Sequence, residues 1–225
     1  MKNTMKTHII TFVMLMGIAI GSQAQSRLEP ISLQDLDMKK SDVWSFAGWY
    51  SEEASQQMIK FPTPMEDFPS ALYVYRGKKQ IKRLQVKWCV ANEYTKSNKP
   101  KLKLDSLEIK TDEETALAFA GLIEHAVGTS MYNDARWGFD GTSYYFRDYS
   151  RVATIWSPDP GSNCRRLTDV LEKAMTAVRN QNREELKALL PEVKSLTTVF
   201  ENLYPKDIDR EWEKNDSILP PKTKL

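Results

Sequence analysis

Histidine and cysteine are scarce in this 225-residue chain, which has only two of each. His8 lies close to the N-terminus, so His125 is the one histidine left for a folded domain. A zinc site built from histidine and cysteine needs a full set of such ligands, and the supply here does not fit one. The sequence therefore predicts no metal site.

Signatures of the common cofactor enzymes are also missing. The chain has no G-x-x-x-x-G-K-[ST] loop, no G-x-G-x-x-G fingerprint, no H-E-x-x-H pair, no EF-hand loop and no G-x-S-x-G elbow. We therefore expect no cofactor and do not favour an enzyme. A thiol-dependent hydrolase is one alternative, because Cys164 lies in the first turn of a predicted helix, where the helix dipole lowers a thiol pKa, and His125 could act as its base.

Only one long apolar run occurs, and it is at the N-terminus. Lys2 and Lys6 precede the apolar segment Ile9–Ile20, and Ser22–Ala24 ends it with a small-x-small pattern. This order predicts a secretory signal peptide over residues 1–24, too short in its apolar part for a comfortable membrane span. No cysteine lies near the cut, so we expect a periplasmic or secreted protein without a lipid anchor or a stable membrane insertion.

The charges of the chain balance, with 32 Lys and Arg against 30 Asp and Glu. Lys2 and Lys6 belong to the predicted signal peptide, so the mature chain is close to neutral and a nucleic-acid partner is not expected. Ten basic residues and one acid lie between Arg76 and Lys103. They indicate either a docking face for an acidic partner, with Lys82 and Lys87 as candidates, or an ordinary solvated sheet face.

The two cysteines, Cys89 and Cys164, would lie in an oxidising compartment after export. An even count in an exported chain favours one disulfide, here between a strand and the start of a helix. The alternative is two unbonded thiols, since a disulfide requires the two Cα atoms to lie within bonding range.

The stretch 135–175 carries the clearest structural pattern. Asp140-Gly141 is typical of a type I′ turn between strands at 135–139 and 142–146, and a second turn leads to a strand at 152–156. We therefore predict a three-stranded meander, followed by a helix over 162–180 with Ser162 as its N-cap. The apolar stripe of this helix consists of Leu167, Val170, Leu171, Ala174 and Val178.

Alternation and capping predict the other elements. Strands are expected at 71–76, 84–90 and 102–109, the last with a bulge at Asp105-Ser106. Thr111 opens a capping box for a helix over 112–127. Its apolar stripe consists of Ala116, Phe119, Ala120, Ile123 and Val127. Two more helices follow, the first capped by Asn182 and the second starting at Pro191.

These elements predict an α+β fold: a mostly antiparallel sheet of five to six strands with a hairpin and a meander, helices packed on one face, and a C-terminal helical extension. Residues 25–69 are expected to form an irregular N-terminal arm, packed over the sheet or lining a ligand as a flap. Residues 70–204 are expected to form the single α+β domain, and residues 205–225 a charged tail.

A run of aromatic residues lies in the same stretch. The segments WGFDGTSYYF (137–146) and IWSPDPGS (155–162), together with the helix that follows, are similar to a pattern in small exported bacterial proteins of the Bacteroides type. The resemblance implies the fold and export, and it brings no catalytic residue. Trp137, Tyr145 and Tyr149 are candidates for a sugar-binding platform, although core and cross-strand packing is the favoured explanation, since strand alternation buries about half of such residues.

The sequence thus favours a non-enzymatic exported protein that binds a protein or glycan partner in the envelope. A carbohydrate-binding module using exposed aromatic residues and a thiol-dependent hydrolase are the two alternatives. The identity of the ligand is left open by the residues themselves.

Overall fold

The computed structural model describes eight segments of the chain: 26–32, 34–36, 45–62, 68–76, 81–94, 100–131, 141–149 and 151–203. The predicted signal peptide, the charged tail, the predicted strand at 135–139 and Trp137 lie outside these residues. Asp140, the first residue of the predicted Asp140-Gly141 turn, lies outside them as well.

A seven-stranded antiparallel sheet forms the centre of the fold, with the order β1-β7-β6-β2-β3-β4-β5. The predicted α+β fold with a mostly antiparallel sheet is confirmed, and the sheet has more strands than expected. The strands are β1 (Glu29–Ile31), β2 (Gln56–Phe61), β3 (Ser70–Tyr75), β4 (Arg83–Tyr94), β5 (Pro100–Lys110), β6 (Ser143–Asp148) and β7 (Arg151–Trp156).

Strand β2 corrects the prediction of an irregular arm over residues 25–69. It lies in the middle of the sheet, between β6 and β3. Its first four residues are buried, including Gln56 and Gln57, so both faces of the strand are covered. A central strand covered on both faces shows no polar–apolar alternation, and two glutamines at its start hide it further.

The predicted three-stranded meander over 135–156 is confirmed only in its hairpin of β6 and β7. The other side of β6 pairs with β2, where Ile59 lies opposite Tyr145. Residues 135–139, the predicted first strand, lie outside the described residues. The consecutive strands β2 to β5 form a meander instead.

Five helices complete the described fold: α1 (Phe46–Trp49), α2 (Glu113–Gly128), α3 (Asn163–Arg179), α4 (Arg183–Ala188) and α5 (Leu190–Leu203). The predicted apolar stripes of α2 and α3 are all buried, and all of their residues except Ala116 belong to one core cluster with Leu72, Leu84 and Phe146 of the sheet. No helix in the described segments is long and apolar enough to cross a membrane.

Side-chain caps start three of these helices. Ser162 and Asn182 accept hydrogen bonds from the backbone N–H groups of Arg165 and Glu185, as predicted. Helix α2 is capped by Asp112 rather than by Thr111, since Asp112 Oδ1 accepts the N–H of Thr115 at 2.8 Å. Hydrogen bonds from Thr115 lower the pKa of Asp112 to about 2.

The second face of the sheet is covered by the segment that contains α1. Trp49 is 1% exposed and packs with Phe46, Ile59 and Tyr73 in a separate core cluster. The Tyr73 hydroxyl donates to the backbone carbonyl of Trp49 at 2.7 Å. The N-terminal segment is therefore part of the core, and the sheet is buried on both faces over its central strands.

The β-bulge lies in β4 and not at Asp105-Ser106 of β5. The ladder runs without interruption through those two residues, and the register shifts between Cys89 and Ala91 on the opposite strand. Val90 is the extra residue. The predicted phase slip in β5 has another cause: Leu104 and Leu107 point to opposite faces of a continuous strand, and both are exposed.

Candidate functional site

Among the described residues, strand β5 forms one edge of the sheet and pairs only with β4. The six residues from Lys103 to Glu108 are all exposed, so this part of the strand is bare on both faces. Leu104 is 44% exposed and Leu107 38% exposed, whereas Ile109 is buried under the helices. A long strand with one unpaired side and two open faces is the arrangement that accepts an added strand.

The direction of the β5 backbone groups follows from the ladder. Thr111 N–H donates to the carbonyl of Lys82 at 2.9 Å, which places odd-numbered β5 residues in the hydrogen-bonded positions towards β4. The even-numbered residues therefore turn their N–H and C=O groups outwards. Gln181 Nε2 donates to the carbonyl of Glu108 at 3.3 Å from outside the sheet, in agreement with this assignment.

Two of the outward groups already have partners within the chain. The Glu108 carbonyl is taken by Gln181, and Ser106 N–H donates to Oδ1 of Asp105 at 2.8 Å. Such local contacts protect part of an edge against unwanted pairing. Leu104 lies between Ser106 and the start of the strand, and its backbone turns towards solvent within the bare segment.

The basic stretch is only partly the solvated face that its charges predicted. Lys87 lies with Nζ 5.0 Å from the ring centre of Tyr73, and Arg83 stacks on Tyr75 at 4.0 Å. Arg83 also pairs with Glu108 at 3.1 Å. These cations cover tyrosines of the second face. Lys82 is half-buried beside the start of β4, and neither lysine candidate belongs to the bare segment of β5.

The aromatic candidates do not form one platform among the described residues. Tyr145 is half-buried, with ring centres at 5.9 Å from Phe46 and 5.6 Å from Phe61, which is core packing. Tyr149 is 57% exposed at the turn between β6 and β7. The carbohydrate-binding alternative stays a prediction. It rests on Tyr149 and on Trp137, and Trp137 lies outside the described residues.

Tyr149 is held in place by an arginine. One guanidinium nitrogen of Arg76 lies 2.7 Å from Oε2 of Glu124 and 3.2 Å from the hydroxyl of Tyr149, and the guanidinium carbon lies 5.5 Å from its ring centre. Tyr149 has φ 34°, in the left-handed region that bulky residues rarely adopt. These contacts tie the β6–β7 turn to β3 and α2, and no pattern in the sequence indicates them.

A second polar group lies under α3. Tyr144 donates to Oε1 of Glu172 at 2.5 Å, and Lys60 Nζ lies 3.0 Å from the other oxygen. Burial, and then the hydrogen bond to Glu172, raise the pKa of Tyr144 above its usual range. The hydroxyl is therefore protonated near neutral pH, and the group fixes α3 to β2 and β6.

The predicted disulfide between Cys89 and Cys164 is wrong, because the two thiols are buried and not bonded to each other. Cys164 starts α3, whereas Arg179 at the other end lies 4.9 Å from the ring of Trp88, next to Cys89. Fifteen residues of helix separate these ends, which is about 22 Å at 1.5 Å per residue. The two cysteines are therefore at opposite ends of the helix.

The predicted low pKa of Cys164 is wrong as well. Burial raises the pKa of this thiol to about 12, and a hydrogen bond with the backbone of Leu28 lowers it by less. His125 is half-buried in the last turn of α2, and no hydrogen bond joins it to Cys164, both being described residues. The geometry does not assemble a thiolate with a base.

Among the cavities of the described residues, two adjoin titratable side chains. One of about 340 Å³ is lined by Lys110, Asp112, Thr115 and Lys187, whose Nζ pairs with Asp112 at 3.1 Å. The other, of about 280 Å³, adjoins Cys164. Both are at the small end for a ligand site. Within the described segments no group of three His, Cys, Asp or Glu residues converges to hold a metal ion.

Comparisons with known proteins add nothing to this geometry. No family model, no curated protein and no solved structure matches the chain. The bare segment of β5 is therefore the candidate site that the structure itself provides.

Proposed function

We propose that the protein is a non-enzymatic exported binding protein that holds another polypeptide in the cell envelope by strand addition at β5. The observation that carries the proposal is the bare segment Lys103–Glu108, which is exposed on both faces and paired on one side. Sheet edges are usually kept short or covered. At the opposite edge β1 has three residues, whereas β5 has eleven.

The side chains of the bare segment indicate which side chains a partner strand should carry. One face presents Lys103, Asp105 and Leu107, and the other presents Leu104, Ser106 and Glu108. Backbone hydrogen bonds supply affinity in strand addition, and the alternating side chains supply specificity. The strand that fits has apolar residues between charges of both signs.

The state of Cys164 counts against the thiol-dependent alternative. Burial raises the pKa of this thiol to about 12, so it carries its proton near neutral pH. A nucleophile or a general base must instead be available in its reactive form at the working pH.

Site-specific photo-crosslinking in the expressing cells tests the proposal. A photoreactive amino acid replaces Leu107 on β5, and the matched control carries it at Leu117, which is similarly exposed on α2. We expect a discrete crosslinked product from position 107 that position 117 does not give. Equal products from both positions, or none from position 107, would show that β5 holds no polypeptide.

A further inference from the structure

We infer that the strand added to β5 is β5 of a second copy of this chain, paired antiparallel about a two-fold axis at Leu104. The inference rests on the proposed function and names its partner. In such a pair the two seven-stranded sheets continue into each other, with the helices of both copies on the same side. This symmetry allows only registers in which directly opposite residues point to the same face of the joined sheet.

The charges of β5 select one register. With the axis at Leu104, Lys103 lies opposite Asp105 of the second copy, and by symmetry the same pair forms again. Both pairs fall at non-hydrogen-bonded positions, because odd-numbered residues turn their backbone towards β4. Side chains approach each other most closely at such positions, so opposite charges there stabilise the pairing.

The neighbouring registers are electrostatically less favourable for the same charged residues. An axis at Lys103 forms two Asp105–Lys101 pairs but sets two lysines directly opposite each other, and an axis at Asp105 sets two aspartates directly opposite each other. An axis at Ser106 places Lys103 opposite Ile109 and Asp105 opposite Leu107. Like charges directly opposite are destabilising, and a charge opposite an apolar side chain gains no attraction.

The backbone at the end of the strand favours the same register. With the axis at Leu104, Glu108 lies opposite Pro100 of the second copy. Proline has no N–H group, so the pair does not need the Glu108 carbonyl, which Gln181 already occupies. An axis at Ser106 would require that carbonyl to accept the N–H of Leu104 from the second copy.

Pairing exchanges one local contact for two between the copies. Ser106 N–H now donates to Asp105 within its own chain. In the joined sheet this N–H donates to the carbonyl of Leu102 of the second copy, and the Asp105 carboxylate turns to Lys103 of the second copy. Ser106 N–H therefore has a partner in both states, and the outward backbone groups of Leu104 exchange solvent for the second copy.

A charge swap tests the inference on the whole mature chain by sedimentation velocity over a range of concentrations. We expect a reversible monomer–dimer equilibrium in the wild type. Asp105→Lys sets lysine opposite lysine twice and should weaken dimerisation about tenfold or more. The double variant K103D/D105K restores both opposite pairs and should restore the dimer. Lys110→Asp changes a charge of β5 outside the paired segment and is the matched control.

The outcomes separate this inference from the proposed function. A wild-type chain that stays monomeric, or a dimer that Asp105→Lys leaves intact, overturns the inference. The photo-crosslinked product at position 107 then decides the function: a product with a different protein keeps strand addition, and its absence ends it. Circular dichroism of each variant shows that the fold is unchanged.

Discussion

Trp49→Ala should lower the free energy of unfolding by about 3–5 kcal/mol, the range for removing a buried tryptophan or phenylalanine. Trp49 is 1% exposed and lies in the core cluster on the second face of the sheet. The substitution leaves the Trp49 carbonyl, and so its bond from Tyr73, in place. The loss therefore measures side-chain packing, and denaturant unfolding followed by far-UV circular dichroism gives it.

Two reference variants bracket this result. Phe119→Ala removes a buried ring on the helix side of the sheet and should cost a similar amount. Leu117→Ala removes an exposed side chain of α2 and should change stability by less than about 0.5 kcal/mol. A Trp49→Ala variant that behaves like Leu117→Ala would mean that the N-terminal segment contributes no core packing.

Gln56→Met should raise the free energy of unfolding by about 1–3 kcal/mol, the cost of leaving a buried polar group unsatisfied. Gln56 is fully buried in the central strand β2, and neither its amide nitrogen nor its amide oxygen has a hydrogen-bond partner among the described residues. Methionine has nearly the same length and shape without the amide. Thermal and denaturant unfolding of the two chains give the difference.

Gln57 provides the matched control on the same strand. It is equally buried and its Nε2 also has no hydrogen-bond partner among the described residues, but its Oε1 accepts the N–H of Ser51 at 3.2 Å. Gln57→Met should therefore destabilise the protein, because the Ser51 N–H loses its acceptor. A loss of stability in Gln56→Met instead would show that the Gln56 amide is satisfied, and the account of a polar defect in β2 would be wrong.

The helices were predictable because their information is local. The spacing of Leu167, Val170 and Leu171 fixes the buried face of α3, and Ser162 supplies its cap within one turn. The cap of α2 was placed one residue too early, since Thr111 and Asp112 are both good N-caps in sequence. Only the hydrogen bond from Thr115 distinguishes them.

The sheet was less predictable because its information is not local. Strand β2 has no polar–apolar alternation. In the sheet it lies between β3, which follows it directly in the chain, and β6, which comes from a distant segment. Because β2 was not predicted, its pairing with β6 was not predicted either. Strand β6 was therefore assigned to a meander over 135–156. The burial that raises the pKa of Cys164 likewise comes from elements distant in sequence, which no local pattern around the cysteine reveals.

For the candidate site, too, local features were predictable from the sequence and long-range features were not. Charges and apolar residues of β5 are visible in the sequence, and their alternation correctly predicted a strand. The sequence does not show that this strand lies at the edge, or that the helices cover it only as far as Ile109. Both features depend on the order of all seven strands. Of the basic residues predicted to form either a docking face or a solvated sheet face, Arg83 and Lys87 stack on tyrosines of the second face.

Residue-resolved amide hydrogen exchange along β5, at low and high concentration of the mature chain, tests most directly that this edge is closed by a second strand. In dilute solution the odd-numbered amides, bonded to β4, should be protected, while the outward amides of Leu104 and Glu108 exchange fast. At high concentration these outward amides should become protected too. Outward amides that exchange equally fast at both concentrations would contradict closure of the edge by a second copy.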